Sequence, residues 1–268
     1  MVSILQKGII HHRTIKGMSQ MEYFVYIPES LQGSGKTFYS IHGISRNAKE
    51  HIEGFIAQAE RHGVIMVAPL FAKEHFPRYQ QLGTNVQQER ADMAFDHLLQ
   101  DVHEWLGTAP APMRMFGFSG GGQFVHRYAM FYPKRVAKMV LAAPGWYTFP
   151  DPERKYPYGL KSTIEWPQLS FSLEKFLPIP TLVITGEQDD LRDKDLNMVR
   201  EIDSFQGLNR IERAERWVGA NRNLARSYDI AADFRLETLP NASHAYESYL
   251  AHPPFAEQIF DFLFEDHK

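Results

Sequence analysis

Ser119 stands in the run GFSGG, residues 117–121, a Gly-x-Ser-x-Gly pattern. Small residues on either side of the serine allow a tight turn that lifts its hydroxyl clear of the backbone. A serine hydroxyl is a poor nucleophile until a neighbouring imidazole accepts its proton. A carboxylate on the other ring nitrogen then fixes the tautomer and stabilises the cation that forms. The chain has 12 histidines and no cysteine, so serine chemistry is open to it while thiolate chemistry, disulfides and cysteine-ligated zinc are not. The competing reading of GFSGG is a glycine-rich turn in which Ser119 merely caps a helix.

Motifs for other chemistry are absent. There is no Walker-type phosphate loop, no His-Glu-x-x-His, and no paired histidine spacing that demands a metal. His11 and His12 are adjacent in an expected strand, so they face opposite sides and do not share an ion. No metal and no other cofactor is expected. A net charge of −3 offers no basic footprint for nucleic acid or an anionic membrane. The N-terminus, MVSILQKGIIHHRTIKG, lacks the charged-then-apolar layout of a secretory signal. No run approaches the roughly 18 apolar residues of a membrane span. A cytoplasmic protein is the expectation.

The elements that must position Ser119 follow from periodicity. With 268 residues, 44% of them hydrophobic, the chain can bury a sizeable core as one α/β domain over 1–268. Short apolar runs alternate with longer helix-period segments, which argues for a mostly parallel sheet. Strands are expected at 7–15, 22–28, 36–43, 64–71, 113–118, 138–145, 181–186 and 234–240. Helices are expected at about 47–62, 86–107, from 119 onward, within 193–228 and at 253–265. Ser119 falls where the fifth of eight strands becomes a helix. Between the sixth and seventh strands the pattern dissolves into a proline-rich and aromatic stretch, 146–180, that includes Trp146 and Tyr147.

A serine in a Gly-x-Ser-x-Gly turn after the fifth strand resembles the nucleophile elbow of the α/β-hydrolase superfamily, and the resemblance covers nearly the whole chain. It implies an eight-stranded, mostly parallel sheet flanked by helices, with 146–180 as a lid-like insertion after the sixth strand. It also implies the order Ser, Asp or Glu, His. Asp189, in TGEQDD after the seventh strand, looks like the family's acid, with Asp190 as close rival and Glu187, Asp193, Asp195 and Asp151 still open. His244, in PNASHAY after the last strand, looks like the base. The amides of Gly120, next to the nucleophile, and Ile44, in the His-Gly-Ile-Ser run 42–45, match the family's oxyanion donors. His42 is then a brace for that loop rather than the base.

The layout PKRVAKMVLAAPGWYTFPD, 133–151, loosely resembles the esterase and polyhydroxyalkanoate-depolymerase-like branch. The expected activity is hydrolysis of a small-molecule or oligomeric carboxylic ester through an acyl-enzyme on Ser119, with Trp146 and Tyr147 lining the substrate pocket. A peptidase, amidase or thioesterase would use the same residues, and a silent ligand-binding protein would leave them idle.

Overall fold

The computed structural model describes residues 6–15, 18–33, 35–83, 90–166 and 170–265. Among these, eight strands form one sheet: β1 (Ile10–Ile15), β2 (Met18–Tyr26), β3 (Lys36–Ile41), β4 (Val64–Leu70), β5 (Met113–Phe118), β6 (Val136–Ala142), β7 (Thr181–Gly186) and β8 (Phe234–Leu239). Their order across the sheet is β1-β2-β4-β3-β5-β6-β7-β8. β2 runs antiparallel to β1 and β4, and the other neighbouring pairs are parallel. Each expected strand is present within a few residues of its expected ends.

The helices are α1 (Ala48–Glu53), α2 (Ile56–His62), α3 (Ala91–Leu106), α4 (Gly120–Phe131), α5 (Leu173–Phe176), α6 (Arg200–Gln206), α7 (Arg210–Ser227), α8 (Tyr246–Leu250) and α9 (Pro254–Phe264). The central strands read as continuous apolar runs because both of their faces are covered. Along β5, Met115 enters one core with Tyr39, Leu141 and Val183, beneath Phe95 of α3, Phe124 of α4 and Trp217 of α7. Phe116 and Phe118 enter the other, with Phe38, Val140 and Ile184, beneath Ile52 of α1, Ala59 of α2 and Phe260 of α9. The period of two along the strand thus feeds two separate cores.

Two helical expectations are corrected by the structure. The helix at 47–62 is two, because the wholly buried Phe55 turns inward to pack on Phe38 and Phe116 and leaves the helical path. The stretch 193–228 divides at Gly207, whose φ of +123° suits glycine. The expected start at 86 lies outside the described residues; α3 begins at Ala91. The stretch 146–180, expected as a lid, sends Tyr147, Phe149, Tyr156, Trp166 and Phe176 into the same core as α4 and α7.

The parallel strands present their C-terminal ends along one side of the sheet. The segments after β3, β5, β7 and β8 therefore converge there, the usual location of ligand sites in open α/β sheets.

Candidate active site

Ser119 is the single residue between β5 and α4, and its φ of +51° with ψ of −113° is a conformation that a side chain disfavours. Two neighbours make it possible. A Cβ on Gly117 would fall 2.3 Å from the carbonyl oxygen of Gly121, and one on Gly121 would fall 2.0 Å from that of Ile41. The Ser119 amide donates to Ala142 O at 2.7 Å, anchoring the turn to β6. The hydroxyl is thereby held at the mouth of a cleft instead of serving as a cap.

Ser119 Oγ lies 3.1 Å from His244 Nε2, and His244 Nδ1 lies 2.8 Å from Asp189 Oδ2. An imidazole with its proton on Nδ1 donates to Asp189 and accepts from the serine. His244 is in the loop after β8, its ring stacked on Phe118 with centroids 5.6 Å apart. Asp189 is buried in the loop after β7. Of the other carboxylates named from the sequence, Asp190 is exposed, Glu187 accepts from the Asn241 amide, and Asp151 accepts from the Glu153 amide. Asp193 joins Arg210, whose guanidinium also reaches Asp189 Oδ1 at 3.1 Å. Asp195 is exposed at the cleft.

The loop after β3 comes up against Ser119: a Cβ on Gly43 would lie 3.5 Å from Ser119 Cβ, and one on Gly120 would lie 3.2 Å from Ile44 Cγ2. Gly120 opens α4, so its amide has no partner within the helix. His42 has both ring nitrogens occupied, Nδ1 by Gly43 O at 2.7 Å and Nε2 by the Phe71 amide at 3.0 Å. Complete burial pushes its imidazole down to about 4, a shift that the Gly43 hydrogen bond only partly opposes. It is thus a neutral brace. Tyr79, which sequence reasoning missed, donates from its hydroxyl to His42 O at 2.8 Å and backs Gly120.

A cleft of about 370 Å³ opens over Ser119 and His244, walled by Gly43, Ile44, Phe118 and Tyr246. Its rim carries Glu50, Asp195 and Glu247, with no lysine or arginine lining it among the described residues. Arg46, two residues after Ile44, is tied to the carbonyls of Ile44 and Phe76. The expectation for Trp146 and Tyr147 does not fit this cleft, which neither residue lines. Trp146 packs against the Arg127 guanidinium, and Tyr147 is wholly buried, stacked on Trp217 at 4.9 Å. Their size and apolar character satisfy the core beside α4.

Strand order, the turn at Ser119 and the converging loops together give this chain the α/β-hydrolase fold. Solved structures agree. The chain is similar to poly(aspartic acid) hydrolase-1 from Sphingomonas sp. KT-1, with a TM-score of 0.80 and 23% identity, covering 95% of this chain and 100% of that one. It is similar to the poly(3-hydroxybutyrate) depolymerase from Bordetella parapertussis, with a TM-score of 0.77 and 23% identity over 92% and 85% of the two chains. A fluorophosphonate-binding serine hydrolase of Staphylococcus aureus matches with a TM-score of 0.60 and 14% identity over 96% and 98%.

No family model matches the sequence. Among curated proteins, an abhydrolase domain-containing protein of Caenorhabditis elegans is 27% identical over 96 residues, 35% of this chain. The match spans 21% of that relative's length.

Proposed function

We propose that the chain is a serine hydrolase that cleaves a carboxylic ester through an acyl-enzyme on Ser119. The observation that carries this reading is the row Ser119, His244 and Asp189, with contacts of 3.1 and 2.8 Å, at a strained turn open to a cleft. Ser119 Oγ attacks the carbonyl carbon as its proton passes to His244 Nε2. The amides of Ile44 and Gly120 receive the oxyanion, being neutral and already oriented. Collapse of the tetrahedral intermediate breaks the bond to the alcohol oxygen, which takes the proton from His244. Water, deprotonated by the same imidazole, then attacks the acyl carbon; the bond to Ser119 Oγ breaks, Oγ takes the proton back from His244, and the acid leaves. Asp189 stabilises the imidazolium throughout.

The similar structures named above are called a depolymerase of a polyester and a hydrolase of a polyamide, so an amide substrate is the second reading. The acidic rim weighs against a polyanion such as poly(aspartic acid), since Glu50, Asp195 and Glu247 would repel it. A matched series of esters, thioesters and amides, run with the wild type and Ser119→Ala, tests the reading. Ester turnover that falls by on the order of 10⁴ to 10⁶ in the variant is expected. Equal activity in both proteins, or hydrolysis of amides alone, would overturn it.

A further inference from the structure

Arg210 is the first residue of α7 and is almost completely buried. Its place is fixed by local sequence: Asn209 caps the helix by accepting from the Glu212 amide at 2.9 Å, while Glu212 accepts from the Leu208 amide at 3.0 Å. A guanidinium so buried is costly unless paired. Its carboxylate partners are Asp189 Oδ1 at 3.1 Å from Nη1 and Asp193 Oδ1 at 3.2 Å from Nη2, and Nη1 also donates to Leu191 O at 3.5 Å. Nη1 is also 3.4 Å from Asp193 Oδ2. The two oxygens of Asp189 are therefore divided, one on Arg210 and one on His244.

We infer that Arg210 is a positioning residue for the reaction: by holding Oδ1 it fixes the carboxylate plane that presents Oδ2 to His244, and with Asp193 it sets how strongly the imidazolium is stabilised. The inference rests on the serine-hydrolase reading. A planar fork can hold two carboxylates at once, which a lysine ammonium does less well. Asp193 completes the arrangement. An arginine alone would cancel the charge of Asp189 toward His244; the second carboxylate returns the group to a net single negative charge. Partial burial opposes the ionisation of Asp193, but the hydrogen bond and charge of Arg210 prevail and hold its carboxyl below the ordinary value.

Burial outweighs charge at the tyrosines around Asp189, although the charge of Arg210 reaches Tyr249. Tyr147 and Tyr249 face Asp189 and are kept neutral by burial. Glu50, Asp195 and Glu247 share the cleft with His244. They act as a constant background when Arg210 or Asp193 is varied.

The test compares wild type, Arg210→Met, Arg210→Lys and Asp193→Asn in the full chain. Each is normalised to the fraction labelled to completion by a fluorophosphonate and assayed on a neutral p-nitrophenyl ester from pH 5 to 9. Arg210→Met is expected to lose kcat by on the order of 10-fold to 100-fold with KM changed less than about threefold, and Arg210→Lys to recover part of that loss. The acid limb of kcat/KM should move up by about half a unit to one unit in Arg210→Met, and down in Asp193→Asn. The two ends of one ion pair thus give opposite signs, which loss of packing does not produce.

A wild-type profile and kcat in Arg210→Met, with only the melting temperature lowered, would overturn the inference. So would an unmoved or upward-moving acid limb in Asp193→Asn, a partly exposed position that can be read even if Arg210→Met fails to fold. Failure of the underlying reading looks different, since Ser119→Ala would then keep its activity.

Discussion

The main chain of Gly121 lies so close to Ile41 that a Cβ on the glycine would stand 2.0 Å from the Ile41 carbonyl oxygen and 2.7 Å from that of His42. The atoms in the way are backbone of β3 and of the loop bearing Ile44, so they cannot swing aside. The start of α4 is thereby set against that loop, and both flank Ser119.

Replacing Gly121 with alanine should cost about 3 kcal/mol or more in unfolding free energy, or prevent folding, because backbone must move. Gly219, in α7, has nothing within 4 Å of the added methyl and a helical backbone. Gly219→Ala should be neutral or stabilising by up to about 1 kcal/mol. Urea denaturation of the pair checks this, and a Gly121→Ala protein as stable as wild type would show the close approach to be misjudged.

Asp189→Asn should lower kcat by on the order of 10² to 10⁴, since an amide can present its NH₂ to the ring and favour the wrong tautomer. Asp190 is exposed and next in sequence, and its asparagine variant should stay within about threefold of wild type. Steady-state assays on one ester decide between them. The reverse order would move the acid by one residue.

His42, His51 and His126 are fully buried, and burial holds the first down to about 4 and the other two well below the ordinary histidine value. In the unfolded chain each takes up a proton near pH 6.5. Below that pH the unfolded state binds more protons than the folded state. Stability present above about pH 6.5 is therefore lost progressively as the pH falls toward about 4, by up to about 1.4 kcal/mol per histidine per unit. The urea midpoint should fall steadily from pH 7 to pH 5; a flat profile would mean that these imidazoles are charged when folded.

The carboxylates of Glu50, Asp195 and Glu247 at the cleft should favour a cationic ester over its matched anionic analogue in kcat/KM by about tenfold at low salt. The preference should shrink as ionic strength rises, because these groups are exposed. Kinetics on a charge-matched series from 10 to 500 mM salt measure it. A salt-independent ratio, or preference for the anion, would place the substrate away from this rim.

Much of the scaffold is legible in the sequence because buried parallel strands are apolar throughout: VIMVAPL in β4 is almost wholly buried. The turn at Ser119 is legible through its glycines, and Asp189 and His244 through strand order. What escapes is set by tertiary packing. Phe55 reads as one more residue of a helix, yet it leaves the helix to fill the core. Trp146 and Tyr147 look like pocket lining in a run of aromatics, but the same composition serves a core equally well. Asn47 and Glu50 are close in sequence and hydrogen-bonded to each other, but Glu247 joins them only at the cleft. Arg210 has no periodic or motif signal, and its partner Asp189 is 21 residues away.

The most direct measurement is intact-mass spectrometry after exposure to a fluorophosphonate, with peptide mapping, on the wild type and Ser119→Ala. One adduct per chain, mapped to Ser119, formed faster above pH 7 than below pH 6 and absent from the variant, is the expected result. An adduct on another residue, equal labelling of both proteins, or no labelling of the folded wild type by probes of several sizes would contradict an activated nucleophile at Ser119.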